Sequence, residues 1–391
     1  MTQYRLLGML GALTVAAFLI STCGVALSPF LQAMADDLRT HLAAITNLVS
    51  FMALSWGASS LFIGALSDRV GRRPILVAAV AGMCCAQLGF SQAPSYVIAV
   101  FCQIFAGVSG GAFFGTVFAT VSDHVPNERR GRALGWVITG QSLSLVLGVP
   151  LIALLGSVGG WRGALSIYSL AIALTALLVW AILPADPKRN KPPGERANTS
   201  LTQVVRPNIL LLLGAGIAER TCFAIIAVYL AIYLQNSYGV SLTQLAFGLA
   251  LVAFGNVVGN IFGGQLSDRI QARTLLYALS ALATAALALP LMLWQPGLTF
   301  SLSLGFAYSF ANALGRPALI KSLSEVPAEV RGAVFGMNIT SASIGWLASA
   351  ALGGWLVTHT GFSALGILSA VAAAAGAILG FTHWRLQHYR R

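Results

Sequence analysis

Long apolar stretches decide what this chain can fold into. They run approximately 6–34, 42–64, 74–92, 95–122, 133–157, 164–183, 207–235, 243–265, 274–294, 298–323, 332–357 and 361–383. At 1.5 Å per residue, each can cross a hydrocarbon core of ~30 Å as a helix. A helix is the open-chain solution there, because lipid offers no partner to a bare backbone amide. The 391 residues are 9% charged, against about 25% in soluble domains. The first stretch is too long for a signal-peptide core and lacks a cleavage site, so it counts as a span. The expectation is an all-α membrane protein with twelve transmembrane helices.

Charge placement adds a topology. With the N-terminus in the cytoplasm, 19 of the 23 Lys and Arg fall inside. Arg39 and Arg162 fall outside, and Arg220 and Arg316 lie within spans. That bias predicts both termini on the cytoplasmic side, and the membrane is expected to be a bacterial inner membrane. The net charge of +12 is then topogenic, and no nucleic acid is expected as a partner. Cys23, Cys84, Cys85, Cys102 and Cys222 all sit in spans and read as small packing residues. The five histidines lie at loops or ends, so no enzyme constellation, metal cluster or cofactor is expected.

One phrase occurs twice. GALSDR at Gly64–Arg69 returns as GQLSDR at Gly264–Arg269, and VPNERRG at Val125–Gly131 returns as VPAEVRG at Val326–Gly332. Asp68 and Asp268 are 200 residues apart, Pro126 and Pro327 are 201 apart. Two markers at nearly one offset imply a duplicated half. In so apolar a chain, that predicts a transporter of two pseudo-symmetric six-helix bundles around a central site. The bundles are expected at 1–183 and 207–391, joined by a Pro-rich, basic cytoplasmic linker at 184–206. Glycines Gly107, Gly110, Gly111 and Gly115, and Gly255, Gly259, Gly263 and Gly264, suit close helix approach, for packing or for sliding.

The run from Gly64 to Pro74 resembles the loop signature G-x-L-[ST]-D-R-x-G-R-[RK] between helices 2 and 3 of the major facilitator superfamily. Every defining position is present. The resemblance implies the major facilitator fold over essentially the whole chain, a small-molecule substrate and often a monomer. It also implies that charges here latch the cytoplasmic side and break during alternation. The candidate latch comprises Gly64, Asp68, Arg69, Gly71, Arg72, Arg73 and Arg132, with Asp268 and Arg269 as the weaker twin. Asp68 can accept from Arg69, Arg72, Arg73 or Arg132, or face a helix N-terminus. Alternatively, these charges only enforce topology.

A second likeness is to the helix 5 signature of the family's drug and metabolite exporters. It rests on Leu147–Leu151, with Gly148 and Pro150, followed by Gly160, Trp161 and Arg162. Gly140 and Gly156 stand near its other glycine positions. Gly148 and Pro150 would form a gate, a helix bent at Pro and narrowed by Gly. The chain departs from that branch at helix 4, where Gln103 occupies the usual Arg slot, and helix 1 has no buried acid.

Glu219 alone among the 11 acidic residues lies deep in a span. Twelve residues from Pro207 place it ~18 Å along the helix, near the midplane. Arg220 and Arg316 are the other interior charges, each costing at least ~2.5–3.5 kcal/mol if it faced lipid. In the superfamily, helices 1, 4, 7 and 10 line the cavity, which puts all three on cavity helices. Neighbours on a helix point about 100° apart, so Glu219 is expected to reach Arg316 or substrate rather than Arg220. The bland alternative is a structural ion pair joining helices 7 and 10.

Glu219 is also the candidate proton carrier. Burial favours its neutral form and a neighbouring guanidinium its charged form, so proton and substrate can compete for one cluster. Further substrate candidates are Gln103, Tyr229, Tyr233, Tyr308 and Asn312, with Gln32, Thr116, Gln141, Asn338, Trp56, Phe113 and Phe114 behind them, each of which can equally be packing. The resulting expectation is proton-coupled efflux of an amphipathic or anionic compound, driven by the proton gradient. Its rivals are organic-anion uptake or exchange through Arg220 and Arg316, and, from another class, a non-transporting sensor or lipid-handling protein.

Overall fold

The computed structural model describes residues 3–184, 206–295, 297–325 and 328–388. The predicted linker falls largely outside the described residues. So do the surroundings of Gly64 and the side chain of Asp68. Among the described residues every regular element is helical, and nine segments are long and apolar enough to cross a membrane.

The chain divides into two compact units, Met1–Asn190 with Val240–Ala250, and Lys191–Gly239 with Leu251–Arg391. The first holds α1 (Gln3–Cys23), α2 (Leu31–Asp37), α3 (Leu42–Val70), α4 (Arg72–Ser91), α5 (Tyr96–His124), α6 (Asn127–Leu143) and α7 (Val149–Ile182). The rest of the chain forms α8 (Pro207–Tyr238), α9 (Leu242–Arg269), α10 (Arg273–Leu293), α11 (Leu298–Ser324), α12 (Ala328–Thr360) and α13 (Ser363–His388).

Local chemistry sets the breaks. The first apolar stretch is not one helix as expected. It stops at Cys23, turns through a 3₁₀ segment at Ser28–Phe30, and resumes as α2. Pro29 sits in that turn: it brings no N–H to a helical ladder and disfavours α geometry in the residue before it. Pro150 acts similarly, and the chain widens into one π turn at Ser144–Gly148 just ahead of it. Gly160 (φ 63°, ψ −177°) then splits α7, separating the fifth stretch from the sixth. Gly71 (φ 112°) ends α3 within the signature loop.

Exposure runs opposite to that of a soluble bundle. On α7, Ile167, Leu170, Leu174 and Leu177 are all more than half exposed, at helical spacing. The opposite face buries Ala164, Tyr168, Ser169, Ile172 and Thr175. A leucine stripe outward with small and polar residues inward suits lipid, which is as apolar as leucine and leaves close packing to hold helices together. The close packing is visible at the glycines. A Cβ on Gly107 of α5 would lie 2.2 Å from the Met52 carbonyl oxygen of α3, and one on Gly259 of α9 would lie 2.4 Å from that of Phe310 on α11. Gly148 and Gly156 likewise press on the Thr22 side chain and the Phe30 ring, so Gly148, one of the two expected gate residues, abuts the first apolar stretch.

Candidate functional site

α8 is buried or half-buried on every side from Leu211 through Leu234. A helix apolar all round belongs in a bundle core, which makes any charge on it expensive. Glu219 is 5% exposed and Arg220 9%.

The two residues pair with each other. Arg220 Nε donates to Glu219 Oε2 at 2.6 Å and Nη2 to Oε1 at 2.9 Å, a bidentate bond between sequence neighbours. The expectation that Glu219 would turn to Arg316 is therefore wrong. The 100° offset holds at the Cα atoms, but the long arginine stem curls back along the helix and brings its fork to the carboxylate. The half-buried Arg316 has no ion pair or hydrogen bond among the described residues. It is followed by Pro317, which withdraws one helical N–H at that level.

Two neighbours fix the pair in place. A Cβ on Gly345 of α12 would stand 2.5 Å from Arg220 Cβ and 2.7 Å from the Ile217 oxygen, so α12 closes directly on this turn. The guanidinium also lies over Phe223, 5.0 Å from its centroid, and Phe223 meets Trp346 edge-on at 5.7 Å. From α11, Asn312 Nδ2 reaches the Glu219 carbonyl oxygen in a long 3.5 Å contact. Tyr308, one turn earlier, donates to the Cys222 carbonyl at 2.9 Å and lies 2.6 Å from Ser369 Oγ. Tyr308, Asn312 and Arg316, four residues apart, thus form one stripe facing α8 at the level of the ion pair.

The other candidates lie elsewhere. Tyr229 is fully buried and donates to the Ala350 carbonyl at 2.7 Å. Tyr233 is enclosed and packs edge-on against Phe362 and Tyr238. Gln103 belongs to the first unit, where it is fully buried with neither amide atom hydrogen-bonded. At the predicted latch, Arg72 Nε binds Asp123 at 3.1 Å and Nη1 binds Ser67 Oγ at 2.7 Å. Arg73 donates to the Trp180 carbonyl at 2.7 Å. These bonds join α4 to α3, α5 and α7 inside one unit. In the twin, Lys321 of α11 pairs with Asp268, and Arg273 pairs with Glu325. Arg69, Arg132 and Arg269 are exposed.

Sequence reasoning missed one wall of the site. A small cavity beside Glu219 is lined by Cys222, Tyr277, Ser280, Thr284 and Asn312. Tyr277, Ser280 and Thr284 recur every three to four residues on apolar α10, a stripe the sequence already displayed.

The comparisons with known proteins fit this architecture. A sequence model of the Major Facilitator Superfamily matches residues 13–325 and again 212–389. The chain belongs to that superfamily. Superfamily relatives cover almost its full length. The uncharacterized MFS-type transporter YfhI of Bacillus subtilis (strain 168) is 24% identical over 379 residues, 95% of this chain and 93% of its own. A chloramphenicol resistance protein of Streptomyces lividans is 26% identical over 346 residues, 83% of this chain and 88% of its own. In fold, the chain superposes with a TM-score of 0.85 on a bacterial homolog of the human lysosomal transporter Spinster, at 16% identity and 98% coverage of both chains. The protein is thus a multi-pass membrane transporter of the superfamily, not an enzyme.

Proposed function

We propose that this transporter is a proton-coupled exporter of a small amphipathic or anionic compound, working by alternating access in a bacterial inner membrane. Twelve spans, two six-helix bundles at 1–183 and 207–391, and cytoplasmic termini belong to the same proposal. The observation that carries it is the buried Glu219–Arg220 pair. A carboxylate held by one arginine near a second has two uses in transport: protonation breaks the pair and frees a guanidinium, and an anionic substrate competes for the same guanidinium. The Streptomyces lividans relative supports export, and chloramphenicol is the first compound to try.

The test is flux in liposomes containing a pH-sensitive dye, comparing wild type with Glu219→Gln under an imposed proton gradient. Substrate-dependent proton movement that disappears in the variant supports coupling through Glu219, and its direction distinguishes export from uptake. Unchanged substrate flux in the variant would make Glu219 structural and favour organic-anion exchange on Arg220 and Arg316, a reading favoured by the excess of buried positive charge.

A further inference from the structure

The cavity beside Glu219 is open to the centre of a water molecule over about 10 Å³, room for roughly one water. Its wall has a consistent chemistry. The Tyr277 hydroxyl donates to the Ala215 carbonyl at 2.7 Å, and Ser280 donates to the Ala311 carbonyl at 2.5 Å. Thr284 donates to the Ser280 carbonyl at 2.9 Å, and the Cys222 thiol to that of Ser369 at 3.4 Å. Each wall hydrogen on oxygen or sulfur is therefore engaged with backbone, and what the hydroxyls offer the cavity is lone pairs.

Asn312 sharpens the point. It is 6% exposed, and its Oδ1 is buried with no hydrogen-bond partner. Its Nδ2 already faces the Glu219 carbonyl, which fixes the amide's orientation and leaves the acceptor toward the cavity. A buried amide oxygen left unpaired costs about 1–3 kcal/mol. A wall of acceptors with one unmet oxygen selects a small ligand that donates hydrogens from two sides.

We propose that this cavity is a water site through which Glu219 exchanges its proton, and that Asn312 is the positioning residue for that water. The proposal rests on Glu219 being the proton carrier. With Glu219 ionised, the water donates one hydrogen to the carboxylate and the other to Asn312 Oδ1. An excess proton that reaches this resident water makes it a hydronium, which transfers one proton to a Glu219 carboxylate oxygen and remains as neutral water. The carboxyl O–H then donates to that water, which still donates to Asn312 Oδ1 and now to a hydroxyl oxygen of Ser280 or Thr284. Loss of the carboxylate charge weakens both bonds from Arg220. The proton thereby reaches Glu219 from the side of α10 and α11. The titratable and charged groups facing Glu219 are Arg220 and Cys222 on α8, Arg316 and Tyr308 on α11, and Tyr277 on α10. Among the described residues, α12 and α13 bring none to it.

The experiment needs only protons as probe. Full-length protein in lipid nanodiscs is subjected to pH jumps while infrared spectroscopy follows the protonated carboxyl band that disappears in Glu219→Gln. Asn312→Leu removes the acceptor, Ala373→Leu fills the cavity, and Thr284→Val removes one hydroxyl with little change of shape. In the first two, the band should move to higher wavenumber as its hydrogen bond is lost, and re-equilibrate about tenfold more slowly. Thr284→Val should change both in the same direction but less, and its near-isosteric side chain guards against a folding failure in the other two. A Glu219 band present in wild type but unmoved in position and rate by all three variants overturns the water site and leaves the proton-carrier reading standing. Absence of any Glu219-dependent band in wild type across the accessible pH range overturns both.

Discussion

The two units share a scaffold and differ in what they bury. At one end of each, the residue that starts the third long helix pairs with an acid at the end of the fourth. Arg72 binds Asp123 in the first unit, and Arg273 binds Glu325 in the second, 201 and 202 residues further on. In each, a serine of the repeated phrase joins the network, Ser67 through its hydroxyl in the first unit and Ser267 through its carbonyl, beside Asp268, in the second. Both units also cross the second and fourth long helices at glycine, but on opposite partners, α5 in one and α9 in the other. The crossing recurs in both units, with most of its glycines on opposite partners. The apolar stretches of α1 and α5 carry no charge, whereas α8 and α11, their counterparts in order, carry Glu219, Arg220 and Arg316. The first unit puts its charge at the rim instead. There Arg162 binds Asp37 at 2.8 Å and the Ser91 and Ala93 carbonyls at 2.9 Å each, while Trp161 Nε1 meets the same Asp37 oxygen at 3.1 Å. A common frame thus holds one unit clasped at its edge and one charged at its centre.

The contrast breaks most visibly at the buried pair. Glu219→Ala or Arg220→Ala strands a charge inside α8's surroundings and should destabilise the protein by about 3–5 kcal/mol. The double change Glu219→Gln with Arg220→Met should recover much of that loss. Thermal unfolding in detergent, read alongside substrate flux, checks it. Singles no worse than the double would mean that water or lipid headgroups reach the site.

Next come the crossings. Gly107→Ala pushes a methyl onto a backbone carbonyl of α3, and Gly259→Ala does the same onto α11. Overpacking of this kind costs roughly 1–3 kcal/mol. The two losses should match within their error if the crossing is the conserved feature. A large loss at one and none at the other would mean that only one unit depends on close approach.

How far the sequence discloses these features depends on their range. Helix ends are set locally, so Gly71, Gly160 and the Pro-rich turns mark them in the chain itself. The break at Pro29 was equally local, but the apolar run around it masked it. Glu219, Arg220 and Arg316 stand out because charge is rare in such stretches. Their partners do not, because pairing depends on side-chain reach and on which helix closes over the site, as Gly345 does over Arg220. The cavity depends on four helices at once. Only its stripe on α10 was visible in the chain, and a lone serine or threonine among apolar residues more often bonds its own helix's backbone, as Thr284 does here.

A smaller effect is expected at the rim clasp. Arg162→Lys keeps the charge but cannot hold a carboxylate and two carbonyls with one planar fork, so the loss should be about 1–2 kcal/mol. Arg162→Ala should exceed it, because the stacking on Trp161 (4.4 Å to the centroid) disappears too. Equal losses in the two variants would mean that the fork geometry contributes nothing beyond the charge itself.

The smallest effect tests the duplication directly. Asp123→Asn and Glu325→Gln remove corresponding acids from the two networks. The Asp123 and Glu325 side chains are 37% and 52% exposed, so water already screens both. Exposed ion pairs contribute about 0.2–1 kcal/mol and fade with salt. Asp123 should matter slightly more, because its partner Arg72 is only 12% exposed while Arg273 is 22%. Unfolding midpoints measured at low and high salt should converge for both variants and the wild type as salt rises. A salt-independent loss confined to Asp123→Asn would show that the first network has become a buried structural element, and that the two ends of the molecule have diverged as far as their centres.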